Sequence, residues 1–223
     1  MERERNSECW YFTVCQLDNS CDTCIRYLEM KYLMDNSGLP KNRQKPIELI
    51  PDDCDYEAFC DLQEFKNNIV QNVQESKNLF LGGYNGNGKT SWSIKILLKY
   101  FDEIWAGNGF RTRGMFVSIP TLLLQLKDFN NPVDSIFREN LINADLVVWD
   151  EIGGISLSNY DYSQLLNALD TRLLRGLSNI YTGNILTKED CEKQLGEKIT
   201  SRIWNNSKII ILKGKDQRGY GVE

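Results

Sequence analysis

Apolar and polar positions along the chain alternate between two periodicities. Short continuous apolar runs occur at "SKNLFL", "RGMFVSI", "ADLVVWDE", "SNIYTGN" and "SKIIIL". Runs of this length, bounded by turn residues, predict strands buried in a sheet. Between them lie stretches with helical spacing: 91–100, "PTLLLQLKDF", "YDYSQLLNALDTRLLRG" and "TKEDCEKQLGEK". Pro120 suits the first turn of its helix, Gly176 falls just past the end of another, and Thr187 is placed to cap the last. Upstream, "YEAFCDLQEFKNNIVQNV" reads as helical and leads into the first strand. The resulting order, strand then helix repeatedly, predicts an α/β fold with a mostly parallel five-stranded sheet flanked by helices on both faces.

The N-terminal stretch differs. "CIRYLEMKYLM" predicts a helix with Ile25, Leu28, Tyr32 and Leu33 on one face. "DNSGLPKNRQKPIELIPDD", rich in Pro, Asn and Lys, reads as a linker. The expected division is a small cysteine-rich module with its linker over 1–50 and a catalytic domain over 51–223.

Candidate chemistry begins with "GGYNGNGKTS", placed between a predicted strand and a predicted helix. Gly83, Gly88, Lys89 and Thr90 meet the G-x-x-x-x-G-K-[ST] pattern of a phosphate-binding loop. Glycines let successive backbone N–H groups of Asn85, Gly86, Asn87 and Gly88 turn inward around an anion, and the helix start adds its positive end. Lys89 reaches β- and γ-phosphates, and the hydroxyl of Thr90, followed by Ser91, suits Mg²⁺. A strand ending in Asp150 and Glu151 supplies one acid for the Mg²⁺ shell and a second to activate water. Asn184, at the end of "IYTGN", can orient that water. Arg202 and Arg218 are candidates for neutralising charge on the γ-phosphate. ATP and Mg²⁺ are therefore the expected ligands.

Composition narrows the picture. The 223 residues are 41% hydrophobic and 26% charged, enough for one α/β core and a small appendage. The net charge of −5 argues against coating DNA through bulk positive charge. The chain has no histidine, which leaves a carboxylate as the sensible general base at neutral pH. No run approaches the ~18 apolar residues of a membrane helix, and the N-terminus has no signal-like apolar segment, so a cytoplasmic protein without membrane contact is expected. Of the seven cysteines, Cys9, Cys15, Cys21 and Cys24 are close together and offer four thiolates for a structural Zn²⁺. Cys54 and Cys60 are substitutes as ligands, and a set of reduced buried thiols is the alternative.

From about residue 49 to 219 the chain resembles the AAA+ ATPases of the helicase-loader type, the DnaC/DnaI family, with the related IstB-like ATP-binding proteins. The resemblance rests on "GGYNGNGKT", "ADLVVWDEIG", "NALDTRLLRGLSNIYTGN" and "LGEKITSRI". It implies an arginine finger in the last segment, with Arg202 the better match because Lys198 replaces the usual arginine. It also implies sensor roles for Asn184 and Arg218, and no C-terminal helical lid. Self-association into an open ring or spiral and contact with a replicative helicase hexamer are implied as well. So is single-stranded DNA contact through Lys127, Phe129, Ser158 and Tyr160. A small zinc-bearing N-terminal module that docks on the helicase belongs to the same resemblance; the short, compact form would suit a phage or mobile element, and the source stays open between phage and bacterial. Two other functions stay open: an IstB-like ATPase assisting a transposase, and a nucleotide-gated replication adaptor with little turnover. The intact Glu151 speaks against the adaptor.

Overall fold

The computed structural model describes residues 9–15, 23–45, 48–107, 109–127, 133–154 and 157–216; for 124–127, 133 and 134 it describes the backbone alone. Five strands form the sheet: β1 (Asn78–Gly83), β2 (Gly114–Ser118), β3 (Leu146–Asp150), β4 (Ser178–Gly183) and β5 (Ser207–Leu212). Their order is β2-β3-β4-β1-β5, and every pairing is parallel. The three central strands are buried along their whole length, which is why they read as unbroken apolar runs.

The period of two along each strand divides the core between the sheet's faces. Leu79 and Leu81 of β1, with Leu146 and Val148 of β3, point to one face. Phe80, with Val147 and Trp149, points to the other. The first face is covered by α1 (Ile25–Asp35), α2 (Tyr56–Asn67), α3 (Ile69–Gln74) and α4 (Lys89–Ile104). The second is covered by α5 (Ile119–Lys127), α6 (Val133–Asn143), α7 (Asn159–Leu174) and α8 (Lys188–Trp204).

Several local features differ from the sequence expectation. The stretch expected as one helix before β1 is two, parted at Asn68. Helix α8 breaks at Gly196, whose φ of 75° and ψ of 160° are not helical. Helix α1 does form, but it buries Glu29, Met30, Leu33 and Met34 and leaves Ile25 and Leu28 exposed. Of the four apolar positions at helical spacing only Leu33 is buried, because this helix carries apolar residues nearly all round and periodicity alone does not choose the buried side. Met30, Leu33, Met34 and Leu39 join the same core as Leu62 and Leu79. The segment after α1 is fastened to β2, where the Phe116 N–H donates to the Ser37 carbonyl at 2.6 Å. A turn through Gly38, with φ of 72°, permits this, since a Cβ there would sit 2.7 Å from the Phe116 carbonyl oxygen.

At the opposite end of the sheet from the loops that follow β1 and β3, Arg172 of α7 is fully buried. It donates to the carbonyls of Leu141, Ala144 and Ser178 and to Asn179 Oδ1, at 2.7 to 2.8 Å. Burial pulls its pKa down to about 10. The guanidinium thus ties the end of α6 to the start of β4 through neutral oxygens alone.

Candidate nucleotide site

In a parallel sheet all strand ends of one kind lie along one edge, and ligands collect outside the carboxyl ends. That edge brings together the loop after β1, the acids at the end of β3 and the turn after β4. They line a cleft of about 660 Å³ with Asn85, Gly86, Gly88, Lys89, Thr90, Ser91, Asp150, Glu151 and Asn184 on its walls. Most of the residues proposed from sequence for nucleotide and catalysis therefore meet in one cavity.

The loop conformation follows from its glycines. Gly83 has φ of 142°, and a Cβ there would collide with the Leu212 carbonyl of β5. Gly88 has φ of 92° and sets the start of α4. Asn87 does not line the cleft. Its side-chain amide donates to the Leu212 carbonyl at 2.6 Å and anchors the loop to β5 from behind. Gly83, pressed against the Leu212 carbonyl, is also not among the residues lining the cleft.

Lys89 is 8% exposed. Its Nζ donates to the carbonyls of Gly83 (3.0 Å) and Tyr84 (2.5 Å) and to Asn87 Oδ1 (3.1 Å). These three acceptors belong to the loop itself and hold the ammonium at the nest. A buried cation beside inward-turned N–H groups fits a polyphosphate.

The acids are organised by a residue that the sequence reading missed. Asp150 Oδ1 accepts from Thr90 Oγ1 at 2.8 Å and from Thr182 Oγ1 at 2.6 Å. Thr182 is almost fully buried, and its Oγ1 also accepts from the Glu151 N–H at 3.1 Å. The Ile152 N–H donates to the Thr182 carbonyl at 2.8 Å. One threonine thus fixes both acids. Glu151 has φ of 60°, a left-handed conformation costing a non-glycine residue about 1–2 kcal/mol, held by these bonds on either side. The only hint in sequence was its place just before Gly183 in "TGN". Replacing Thr182 with Val keeps the shape but removes both bonds. The expected result is a loss of about 10- to 100-fold in nucleotide hydrolysis and of about 1–2 kcal/mol in stability, read by turnover and by urea unfolding.

Thr90 and Asp150, joined and partly open to the cleft, are the oxygen donors that suit Mg²⁺. Arg202 stands apart from the cleft. Its Nε and Nη2 grip Asp170 of α7 at 2.6 and 3.2 Å, and that pairing raises its pKa. Arg218 lies outside the described residues.

The candidates for DNA contact are dispersed. Ser158 forms a capping box with Asp161, accepting from the Asp161 N–H and donating to its carboxylate at 2.7 Å. Tyr160 is 37% exposed in the first turn of α7. Lys127 ends α5 with its side chain outside the described part, as is all of Phe129.

Of the four clustered cysteines, Cys21 lies outside the described residues. Cys9, Cys15 and Cys24 border one cavity of about 440 Å³ with Tyr11, Arg26 and Trp105. No group of three His, Cys, Asp or Glu is placed to hold a metal ion among the described residues. The expected Zn²⁺ gains no support from the three thiols seen. No described helix is long and apolar enough to cross a membrane.

Comparison with solved structures matches this architecture to DNA-replication proteins. A DnaC helicase loader superposes with a TM-score of 0.63 at 21% identity, covering 74% of this chain and 94% of that one. DnaI superposes at 0.64 with 18% identity, covering 81% and 94%. The replication initiator DnaA bound to AMPPCP and single-stranded DNA superposes at 0.60 with 14% identity, covering 83% of this chain and 50% of that one. The chain has the AAA+ fold. No family model and no curated protein sequence matches it. The likeness to the loader and initiator structures is one of architecture.

Proposed function

We propose that the chain is an ATP-dependent loader of a replicative hexameric DNA helicase onto single-stranded DNA at replication initiation. The observation that carries this is the single cleft uniting Lys89, Thr90, Asp150, Thr182, Glu151 and Asn184, on the fold of the helicase-loader structures. In this reading the loop amides and Lys89 bind the β- and γ-phosphates of ATP. Mg²⁺ held by Thr90 and Asp150 supplies charge neutralisation. Glu151 accepts a proton from the attacking water, and Asn184 orients that water.

Arg202 does not line its own chain's cleft. Its role is assigned to a neighbouring copy, where it would neutralise the γ-phosphate as protomers assemble into an open ring or spiral. Asp170 then serves to hold the guanidinium ready in the free protomer. Single-stranded DNA is assigned to Lys127, Phe129 and Tyr160, a cation and two rings suited to backbone pairing and base stacking. The Ser158 hydroxyl is engaged in the helix cap and is the weakest member of that set. The N-terminal segment, partly packed on the core through α1, is the assigned helicase contact. The test is ATP-dependent retention of a hexameric replicative helicase by the full chain.

A further inference from the structure

The cleft has a wall that no phosphate-loop motif announces. Arg43, from the stretch that reads as a linker, is one of its lining residues, as are Asn85 and Gly86 of the phosphate-loop motif. Among the described lining residues, Arg43 and Lys89 are the two cations, against Asp150 and Glu151 as the acids. No hydrogen bond or ion pair holds the Arg43 guanidinium among the described residues, and it contacts neither acid.

Its position is nonetheless built. Leu39 is buried in the core and Ser37 is fastened to β2, so the chain enters from a fixed point. Pro40 follows, and a 3₁₀ turn runs over Lys41–Arg43. The Arg43 N–H donates to the Pro40 carbonyl at 2.8 Å, and the Gln44 N–H to the Lys41 carbonyl at 3.3 Å. The Gln44 side chain donates back to the Leu39 carbonyl at 3.2 Å. From the far N-terminal side, the Trp10 indole N–H donates to the Gln44 carbonyl at 3.1 Å. Local turn bonds, a side-chain clasp and a long-range indole bond thus hold the backbone that presents Arg43 to the cleft. Among the described residues the guanidinium itself has no hydrogen-bond or ion-pair partner.

We infer that Arg43 is a phosphate-contacting residue for the nucleotide bound in the same chain, and that it couples the cysteine-bearing N-terminal segment to the nucleotide. This rests on the reading of the cleft as an ATP site. An arginine offers up to five donors in a planar fork that matches phosphate oxygens. A polyphosphate would give this one the acceptors it lacks. The physical route to the N-terminal segment is short: Arg43 adjoins Gln44, Gln44 is bonded to Trp10, and Trp10 follows Cys9. A ligand that fixes Arg43 fixes the strap on which Trp10 hangs.

The test is equilibrium binding of Mg-ATP to the full chain, to Arg43→Ala, to Arg43→Lys and to Lys89→Ala, at low and high salt. Unfolding of each variant without nucleotide is measured alongside. The proposal expects Arg43→Ala to bind ATP about tenfold more weakly at low salt. That gap narrows at high salt, because the lost contact is an open charge pair. Arg43→Lys recovers part of the loss, and the unfolding midpoint without nucleotide stays that of the parent. If the parent binds ATP, Lys89→Ala loses it and Arg43→Ala binds like the parent, the Arg43 assignment is overturned while the ATP site stands. If the parent itself fails to bind ATP, both are overturned. A loss in Arg43→Ala that is insensitive to salt and accompanied by a lower unfolding midpoint also overturns the proposal, since it marks a structural role.

Discussion

Replacing Glu151 with Gln is expected to lower ATP turnover by about 10²–10⁴-fold while leaving ATP affinity within a few-fold of the parent. The glutamine keeps the size and the acceptor oxygen of the side chain but cannot take a proton from water at neutral pH. No imidazole can substitute, because the chain has no histidine. Affinity is expected to persist because the proposed phosphate holders are the loop amides and Lys89, whose ammonium is positioned by Gly83, Tyr84 and Asn87. The left-handed backbone at residue 151 is unchanged by the substitution, and its N–H keeps the Thr182 bond. The same variant tests the arginine assignment. Arg202→Ala is expected to be inactive alone, since it lacks the group offered to a neighbour. Mixed with Glu151→Gln, it restores part of the turnover, because an intact cleft then meets an intact arginine. Steady-state hydrolysis of each variant and of the mixture checks this. Turnover by Glu151→Gln at the parent's rate removes Glu151 from the reaction.

The second large effect is on stability. Arg172→Met is expected to cost about 3–5 kcal/mol, from three backbone carbonyls left without a donor at about 1–3 kcal/mol each, less the desolvation cost that removing a buried charge recovers. Against a domain stability of about 5–15 kcal/mol this is a large fraction. Arg172→Lys is expected to fall short as well, because one ammonium cannot span Leu141, Ala144, Ser178 and Asn179 from a single nitrogen. Urea unfolding measures both. A cost below about 1 kcal/mol for Arg172→Met would mean that water or a rearranged α6 replaces the guanidinium.

The two variants mark what was and was not legible in the sequence. The place of Glu151 in the cleft was readable from two acids at the end of an apolar run, downstream of a phosphate-loop motif. The five strands were readable because burial on both faces leaves little choice of residue along them. Arg172 lies in a landmark segment, yet nothing local shows that a charged residue is enclosed by three carbonyls from the end of α6 and the start of β4. Thr182 escaped for a similar reason. It acts on residues about thirty positions away through the β3 and β4 pairing, and a threonine in a strand needs no function to explain it. Arg43 sat in a stretch whose composition suggested only a linker. Its position depends on Leu39 entering the core and on Trp10 reaching back to Gln44. The buried face of α1 could not be read from spacing because its apolar residues surround the helix. Helix α6 went unpredicted in the segment between two recognised elements. For Arg172, Thr182 and Arg43 the deciding contact is long-range.

The placement of α1 also shapes the most direct test of function. Because Met30, Leu33, Met34 and Leu39 belong to the core, deleting the N-terminal segment would open that core, and the full chain is the proper reagent. The measurement is capture of the host's hexameric replicative helicase by the full-length chain, with Mg-ATP and without nucleotide. Glu151→Gln serves to hold the ATP state, and circular single-stranded DNA is added to read transfer. The account predicts stoichiometric capture with ATP, strongest in Glu151→Gln, and helicase delivered to the DNA by the parent. A chain that binds ATP yet captures no helicase in either form would contradict the loader reading and leave an AAA+ ATPase with a different partner.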